Sequence, residues 1–245
     1  MGEKLLNVNR GNKMKKIILI ILFNSVLCMA DQRHFVWTYE YKTVNRGDVE
    51  FEHYYTTSHP NSSDLSYGPI TTGHQMELEI GMNERFDFAI YHQFEQQTNL
   101  QYKGYKLRGR YRIGEKNMYL LDPVLYMEYH GKPDFSEHGI ETKLILAKET
   151  DKLIASLNPI LEIEIENDEK EIKTEYAAGI TYKFNKLIHA GIEFKGSKDG
   201  HYLGPTISHG LNSHWFSLGT AIAIGKIKEG KPEIEIRMIM GVGLK

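Results

Sequence analysis

The sequence has almost no cysteine, since Cys28 is the single one in 245 residues. Residues 31–245 therefore cannot form a disulfide bond, and their fold must be stabilised in another way, such as a closed network of backbone hydrogen bonds. Metal-binding motifs are also lacking, because the 11 histidines are scattered, with neither a cysteine partner nor a His-x₃-His pair on one helix. We therefore predict no metal and no other cofactor.

A long hydrophobic run is missing as well. The longest one, residues 17–27, is too short to span a bilayer as a helix, which takes roughly 20 residues. It follows a basic stretch at 13–16 and precedes a small-x-Ala end at 28–30, which is the order of a secretory signal. We predict a signal peptide over 1–30, cleaved after Ala30.

The first 30 residues also decide the start and the charge of the mature chain. We expect translation to start at Met14, because residues 1–13 show no structural pattern. The alternative to cleavage is lipidation of Cys28, but Leu27 stands where lipoprotein signals usually carry a smaller residue. The first 30 residues hold five of the 30 basic residues and one of the 32 acids, so the remainder has a net charge of −6. An acidic chain of this kind gives no sign of nucleic-acid binding.

After residue 31, runs of alternating apolar and polar residues dominate, and no helix-like stretch of convincing length occurs. Alternation with period two is typical of β-strands that have two different faces. A tilted strand needs about 9–11 residues to cross a bilayer, whereas strands of soluble sheets average about 5–6. The runs here are of the longer kind and cover 34–42, 47–57, 70–82, 84–95, 101–113, 118–130, 137–148, 152–165, 171–184, 187–196, 200–209, 213–225 and 231–244.

The connections between the runs decide between twelve and thirteen strands. Tight turns alternate along the chain with wider or more polar links such as 58–69, and transmembrane barrels have short periplasmic turns and longer external loops. This pattern, and the even strand number of single-chain bacterial barrels, are both satisfied if 34–42 is not a barrel strand. We predict an all-β fold, a transmembrane antiparallel β-barrel of about 12 strands over 47–245. Residues 31–46 are then an N-terminal periplasmic or lumenal segment.

One strand shows most clearly how the two faces differ. In KGYKLRGRYRI, residues 103–113, cations alternate with apolar and aromatic residues. A soluble lipocalin-like barrel would turn the apolar face inward, but the apolar side chains of about twelve strands could not fill the interior. We therefore predict that the apolar rows face lipid and that charged rows line the lumen. The predicted lumen-lining residues are Glu77, Glu79, Asp87, Lys106, Arg108, Arg110, Arg112, Asp122, Glu128, Glu141, Lys143, Glu175, Glu233, Glu235 and Arg237.

Aromatic residues and glycines of the strands add two further expectations. Aromatic residues near strand ends predict interfacial girdles; they are Tyr54, Tyr55, Tyr119, Tyr129, Tyr182, Phe184, Tyr202, Trp215 and Phe216. Glycines inside strands are expected to permit the bends of a barrel; they are Gly81, Gly109, Gly179, Gly191 and Gly219.

Three stretches resemble a known family. They are TVNRGDVEFE at 43–52, LEIGMNERFDF at 78–88 and GYKLRGRYR at 104–112. Each is similar to a motif of the outer-membrane β-barrel family of transporters of the meta-pathway of phenol degradation, and the match covers roughly residues 43–113. In that family the motifs mostly describe barrel hairpins. The resemblance therefore implies the architecture and a place in the outer membrane, but not the cargo.

The charged lumen suggests a channel. The cation row 106–112 is expected to face acids on the neighbouring strands, namely Glu79 and Asp87 on one side and Asp122 and Glu128 on the other. Opposite charges across a constriction create a transverse field that selects polar solutes. We therefore predict a narrow passive channel or transporter for small solutes in the bacterial outer membrane. Its expected partners are outer-membrane lipid, the barrel-assembly machinery and an unidentified small solute, and no nucleic acid.

Other functions stay open at this point. Ion pairs that fill the lumen would equally give a plugged structural barrel without conductance, and a surface adhesin is a weaker possibility because the loops are short. An outer-membrane hydrolase would need a Ser-His site, for which Ser208/His209 and Ser213/His214 are the candidates. Adjacent residues of a strand point to opposite faces, so neither pair is expected to form the required hydrogen bond. We therefore predict no catalytic residues and no enzyme.

Overall fold

The structure is a computed structural model that describes residues 32–166, 169–211 and 213–244. The predicted signal peptide over 1–30 and the predicted start at Met14 lie outside these residues. In the described part of the chain, all regular secondary structure is β-strand. No helix there has the length and apolar character needed to cross a membrane.

Twelve antiparallel strands form a closed barrel in which each strand pairs with its neighbours in sequence. The last strand closes the barrel on the first one, with Leu244 opposite Val49 and Ile234 opposite His59. Closure leaves no unpaired strand edge. The predicted fold class is confirmed. The strands are β1 (Val49–His59), β2 (Thr71–Gly81), β3 (Phe86–Gln96), β4 (Leu100–Arg112), β5 (Asp122–Gly131), β6 (Glu137–Glu149), β7 (Leu153–Glu166), β8 (Glu169–Lys183), β9 (Ile188–Ser197), β10 (Gly200–Leu211), β11 (His214–Ile224) and β12 (Ile234–Leu244).

The connections give the barrel two different ends. The end that carries the longest loop, 60–70, and also the loop 225–233 is called the loop end below, and the opposite one is the turn end. One connection at the turn end, 113–121, is longer than expected, because the run predicted at 118–130 becomes a strand only at Asp122. The Asp122 carboxylate accepts hydrogen bonds from two backbone amides of this connection and keeps it folded as a turn. The short turns at this end are 82–85, 150–152 and 184–187.

Side chains along each strand alternate between the two surfaces of the barrel. Apolar residues such as Leu107, Leu157 and Ile192 are exposed on the outer surface, whereas Arg108 and Glu193 next to them in sequence are buried inside. This distribution is the reverse of a soluble protein and is the one that a lipid-facing barrel requires.

Three residues predicted for the aromatic girdles lie inside the barrel instead. Tyr54, Tyr202 and Trp215 are buried, because each shares its strand face with the lumen side chains. Tyr54, for example, is two residues from the buried Glu52 in β1, whereas Tyr55 points outward. The girdle prediction is wrong for these three residues.

Residues 32–46, called the plug below, form no strand and lie inside the barrel. Both ends of the plug are at the turn end. Gln32 reaches Ser208 near the end of β10 at 3.4 Å, and the Gly47 amide that follows the plug donates to the Gly81 carbonyl oxygen of β2 at 2.8 Å. Between these points the chain rises into the lumen, where Phe35 and the following residues are buried.

Several glycines of the barrel wall make room for the plug, and two of them lie against Phe35 and Val36. A Cβ atom at Gly179 would lie 2.5 Å from the ring of Phe35, and one at Gly219 would lie 2.5 Å from Cγ2 of Val36. Both distances are far shorter than the van der Waals separation of about 3.5–4.0 Å. At these two positions the absent side chain therefore allows close approach of the plug.

Candidate functional site: the charged lumen

The centre of the site is a buried ion-pair network between β2, β3 and β4. The guanidinium of Arg108 donates to Glu77 Oε1 at 2.6 Å, contacts Glu79, and lies 3.5 Å from Asp87 Oδ1. Arg110 donates to Asp87 Oδ2 at 2.6 Å and to Glu79 Oε2 at 2.9 Å. All five side chains are buried. Two cations and three acids of the predicted lumen set thus form one compact unit.

The plug and β1 extend this network on one side. The Tyr54 hydroxyl lies 2.6 Å from Glu52 Oε2 and 2.8 Å from Glu77 Oε2, and it accepts a hydrogen bond from Arg33 of the plug at 2.5 Å. Arg33 also lies 3.7 Å from Glu52. The plug therefore contributes a cation to the charge balance of the barrel wall.

A second group of ion pairs lies towards the loop end. Lys106 lies 2.8 Å from Glu128 and Lys143 lies 2.9 Å from Glu141. Lys143 is also positioned over the ring of Tyr39 in the plug, 4.8 Å from its centroid. Lys143 therefore connects this group of ion pairs to the plug. Lys195 forms a further ion pair with Glu235 on the opposite wall.

Three predicted lumen residues occupy the ends of the barrel. Arg112 donates to the Glu84 carbonyl oxygen at the turn end, and Asp122 holds the 113–121 connection, 3.8 Å from Lys148. Glu233 precedes β12 and accepts hydrogen bonds from the amide and hydroxyl of Ser62 in the loop 60–70. Those two hydrogen bonds lower the pKa of the Glu233 carboxyl. None of the three belongs to the central network.

One carboxylate of the wall binds three backbone amides at the tip of the plug. Glu193 of β9 accepts hydrogen bonds from the backbone amides of Val36, Trp37 and Thr38 at 2.8, 2.9 and 2.8 Å. Next along the plug, Tyr39 donates its amide to Asn158 Oδ1 at 2.6 Å. Three charge-assisted hydrogen bonds to one buried carboxylate are a strong attachment.

The base of the plug has its own ion pair. His34 Nδ1 lies 2.7 Å from Glu40 Oε1, and the His34 amide donates to Glu40 Oε2 at 3.0 Å. Burial opposes ionisation of Glu40, but His34 and the nearby Lys42 outweigh it and lower the pKa of Glu40 from 4.5 to about 2. The plug thus forms a closed loop whose two sides are joined by a carboxylate that is ionised at ordinary pH.

Together, the network and the plug pack into the barrel interior around Arg108. This side chain and those of Glu77 and Asp87 have no exposed surface. Above them, between the plug tip and the loop end, a cavity of about 260 Å³ remains. Plug residues Trp37 and Tyr39 form part of its lining.

Several residues of the site were missed by the sequence prediction. Glu52 and Tyr54 obey the same period-two rule as the predicted residues, so the alternation along β1 was a usable signal. Arg33 and Trp37 carry no such signal, because the plug has no regular periodicity.

Two groups of side chains bring together atoms of the kind that bind metals. Ligand atoms of Glu52, Glu77 and Glu79 lie within 4.8 Å of one another, and so do those of His130, Glu162 and Glu164. In the first group, Arg108 and Tyr54 already satisfy the carboxylates. In the second, Glu164 is bonded to Lys173.

One of the two candidate Ser-His pairs forms a hydrogen bond that we did not expect. Ser213 Oγ lies 2.9 Å from His214 Nδ1, because Ser213 precedes β11 and is not bound by the alternation of a strand. That part of the prediction is wrong. In the described residues, however, no carboxylate lies within ion-pair distance of His214 to orient it, as a catalytic triad requires. Ser208 and His209 do point apart: Ser208 is buried, and His209 contacts the Leu187 carbonyl oxygen.

These observations define the class: a twelve-stranded barrel with an apolar outer surface, a charged lumen and an internal plug. Two comparisons are negative, since no protein-family model and no curated protein sequence matches the chain. The resemblance to the phenol-degradation transporter family is therefore not confirmed and stays a prediction.

Solved structures with the same fold are outer-membrane channels and porins. An outer membrane channel from Pseudomonas putida F1 is 8% identical with a TM-score of 0.58, over 86% of this chain and 100% of that one. The KdgM porin in complex with disordered oligogalacturonate is 11% identical with a TM-score of 0.55, over 81% and 98%. The NanC porin is 9% identical with a TM-score of 0.52, over 80% and 99%. At such low identity the likeness establishes the fold: this chain has the barrel of outer-membrane porins.

Proposed function

We propose that the protein is an outer-membrane channel for small polar solutes, with no enzymatic activity, and that its own plug closes the lumen. The turn end faces the periplasm in this proposal, so the plug enters from the periplasmic side. The likeness to porin barrels and the apolar outer surface support the location. The observation that carries the closure is the attachment of the plug tip to Glu193 by three backbone amides.

Conduction requires the plug to move. Arg108, Glu77 and Asp87 have no accessible surface, and Arg33 of the plug is part of the same charge balance. Solutes therefore reach the upper cavity from the loop end and stop at the plug tip. Displacing the plug opens the interior along β7 to β11, where the wall contributes Asn158 and the glycines at 179 and 219.

A plugged structural barrel is the second candidate. The complete burial of Arg108, Glu77 and Asp87 favours it, because a network satisfied in this way gives a solid interior with no need to open. The two candidates differ in one property, which is whether the plug ever leaves the lumen.

A disulfide clamp tests the proposal. Because residues 31–245 contain no cysteine, the double variant Val36→Cys/Gly219→Cys has only one possible disulfide, at a place where the plug tip lies against the wall. In planar bilayers we expect conductance from the reduced double variant and from each single variant, and at least a tenfold loss in the oxidised double variant. Folding is checked by electrophoretic mobility with and without boiling.

Two results would contradict the proposal. Equal conductance of the oxidised and reduced double variants would mean that solutes pass without movement of the plug. Silence of the wild type and of all reduced variants, with intact heat-modifiable barrels, would favour the structural barrel.

A further inference from the structure

The upper cavity contains two charged groups that the protein itself leaves without an ion pair. Of the eight charged residues that line the cavity, six have a partner of opposite charge. Lys106 with Glu128 and Lys143 with Glu141 are examples. The remaining two are Arg237 of β12 and Glu175 of β8, which have no such partner within 4 Å among the described residues.

Arg237 has spare hydrogen-bond donors. Its Nε donates to Thr56 Oγ1 at 2.9 Å, and its Nη1 donates to the Val36 carbonyl oxygen at 3.3 Å. A guanidinium carries five N–H donors, and both acceptors here are neutral. The side chain borders the upper cavity and also a second one of about 280 Å³ near the loop end. It is thus accessible to a solute that enters from that end.

Glu175 is the corresponding acid. Its side chain makes no hydrogen bond with the rest of the described chain, and the residue is exposed within the barrel. It borders the upper cavity and a neighbouring one of about 220 Å³ that Lys231 also lines. β8 and β12 are separated by three strands of the closed barrel. The free acid and the free cation therefore stand on different walls of one space.

The size and the walls of the cavity limit what it can hold. About 260 Å³ is room for a solute of several non-hydrogen atoms, and far more than a single water needs. Trp37 offers an aromatic face, with Arg237 5.5 Å and Lys195 4.8 Å from its ring. A solute bound beside Arg237 would therefore lie next to the indole ring.

We propose that this cavity binds a small zwitterion, with the solute carboxylate on Arg237 and its ammonium group on Glu175. A singly charged solute satisfies one of the two groups, whereas a zwitterion satisfies both without breaking any ion pair of the wall. Charge-assisted hydrogen bonds are roughly twice as strong as neutral ones, so two of them discriminate against solutes that make one. The inference names the solute class of the proposed channel and rests on it.

Trp37 provides a direct measurement of binding. The detergent-solubilised full chain is titrated with glycine, β-alanine and 4-aminobutanoate, and with propionate and propylamine as singly charged probes, while tryptophan fluorescence is recorded. For at least one zwitterion, we expect the fluorescence change to be half-saturated at a concentration about tenfold lower than for either singly charged probe. The change disappears in Trp37→Phe, which retains Trp215.

Two charge variants assign the ends of the solute. Arg237→Gln is expected to lower the affinity for the zwitterion and for propionate about tenfold and to leave the affinity for propylamine unchanged. Glu175→Gln is expected to lower the affinity for the zwitterion and for propylamine and to leave the affinity for propionate unchanged. Lys103→Gln, which removes a cation from the neighbouring cavity, is the matched control and leaves the affinities unchanged. Heat-modifiable mobility confirms that each barrel is folded.

The possible failures can be distinguished from those of the channel proposal. If the titration gives β-alanine the same affinity as propionate, or the same affinity as propylamine, the zwitterion inference is overturned. The absence of any fluorescence change overturns it as well, even if the barrel conducts. If the zwitterion binds more tightly than the singly charged probes but the barrel never conducts, the binding site is supported and the channel proposal is contradicted.

Discussion

Arg108 depends on a small residue beside it. Its direct cross-strand neighbour on β3 is Ala89, whose side chain is too short to meet it, so the guanidinium passes over β3 and binds Glu77 and Glu79 on β2. Period-two alternation predicted the face on which Arg108 lies. The sequence prediction also named Glu79 as an acid facing the cation row. It did not name Glu77 as a partner of Arg108, because this reach depends on the volume of the residue between them.

Removing the Arg108 cation should destabilise the barrel. In Arg108→Met, the carboxylates of Glu77, Glu79 and Asp87 stay buried without their common partner, and breaking a buried ion pair in this way costs about 3–5 kcal/mol. We expect a loss of this size in the free energy of unfolding, measured in urea with heat-modifiable mobility as the readout.

An exposed pair gives the comparison. Arg85 forms an ion pair with Glu115 in which 40% and 65% of the two side chains are exposed, and exposed pairs contribute about 0–1 kcal/mol. Arg85→Met should therefore be nearly neutral. If Arg108→Met were as mild as Arg85→Met, the buried network would not stabilise the barrel.

Among the elements, the plug is the one that sequence patterns could not place. Alternating residues predict the strands, but residues 32–46 have no such pattern and are held by individual contacts such as that of Asn158 with Tyr39. A partial signal was present in the wall. Gly179 and Gly219 were expected to permit bends, whereas the structure shows that their missing side chains accommodate Phe35 and Val36.

Filling one of these gaps should expel the plug. In Gly179→Val the new side chain would overlap the ring of Phe35, and overpacking costs about 1–3 kcal/mol. Since about 1.4 kcal/mol is a factor of ten, we expect trypsin to cleave at Arg33 or Lys42 at least tenfold faster than in the wild type.

Gly73→Val is the control for this experiment, because a Cβ at Gly73 would have its nearest neighbour at 3.9 Å. It changes the same residue type on the same inner surface without touching the plug. Cleavage as slow in Gly179→Val as in Gly73→Val would show that the wall does not set the position of the plug.

Acid should loosen the plug through Glu40. The pKa of this carboxyl is about 2 in the plug, below its usual value, so its contribution is complete above about pH 4.5 and is lost as the pH falls towards 2. The lowered pKa corresponds to a stabilisation on the order of 3 kcal/mol.

The test compares wild type with Glu40→Gln in bilayer recordings between pH 5 and pH 2. We expect the variant to be open more often at pH 5 and the two proteins to converge near pH 2. A difference that persists unchanged at pH 2 would mean that the Glu40 charge does not hold the plug.

For the whole molecule, sequence periodicity predicted the strands and their two surfaces because both follow from backbone geometry, and the lengths of the connections reduced thirteen runs to twelve strands. The strands alternate apolar outward-facing residues with polar or charged inward-facing ones, which is the pattern of a barrel that closes in lipid. Closure of the lumen did not follow, because it depends on how completely side chains such as Arg108 and the plug fill the interior, and no period encodes that volume.

The reversed surface leads to a prediction about lipid. Leu157 on β7 and Leu65 in the loop 60–70 are exposed to the same extent, 45% and 43%, so a soluble protein would tolerate arginine equally at both. In a bilayer only Leu157 contacts the hydrocarbon, where arginine costs about 2–4 kcal/mol near the midplane. We expect Leu157→Arg to lose this much stability in lipid vesicles and Leu65→Arg to lose none, measured by urea unfolding of both variants. Equal stabilities of the two variants would mean that the apolar surface contacts something other than lipid, which would contradict the proposed membrane channel.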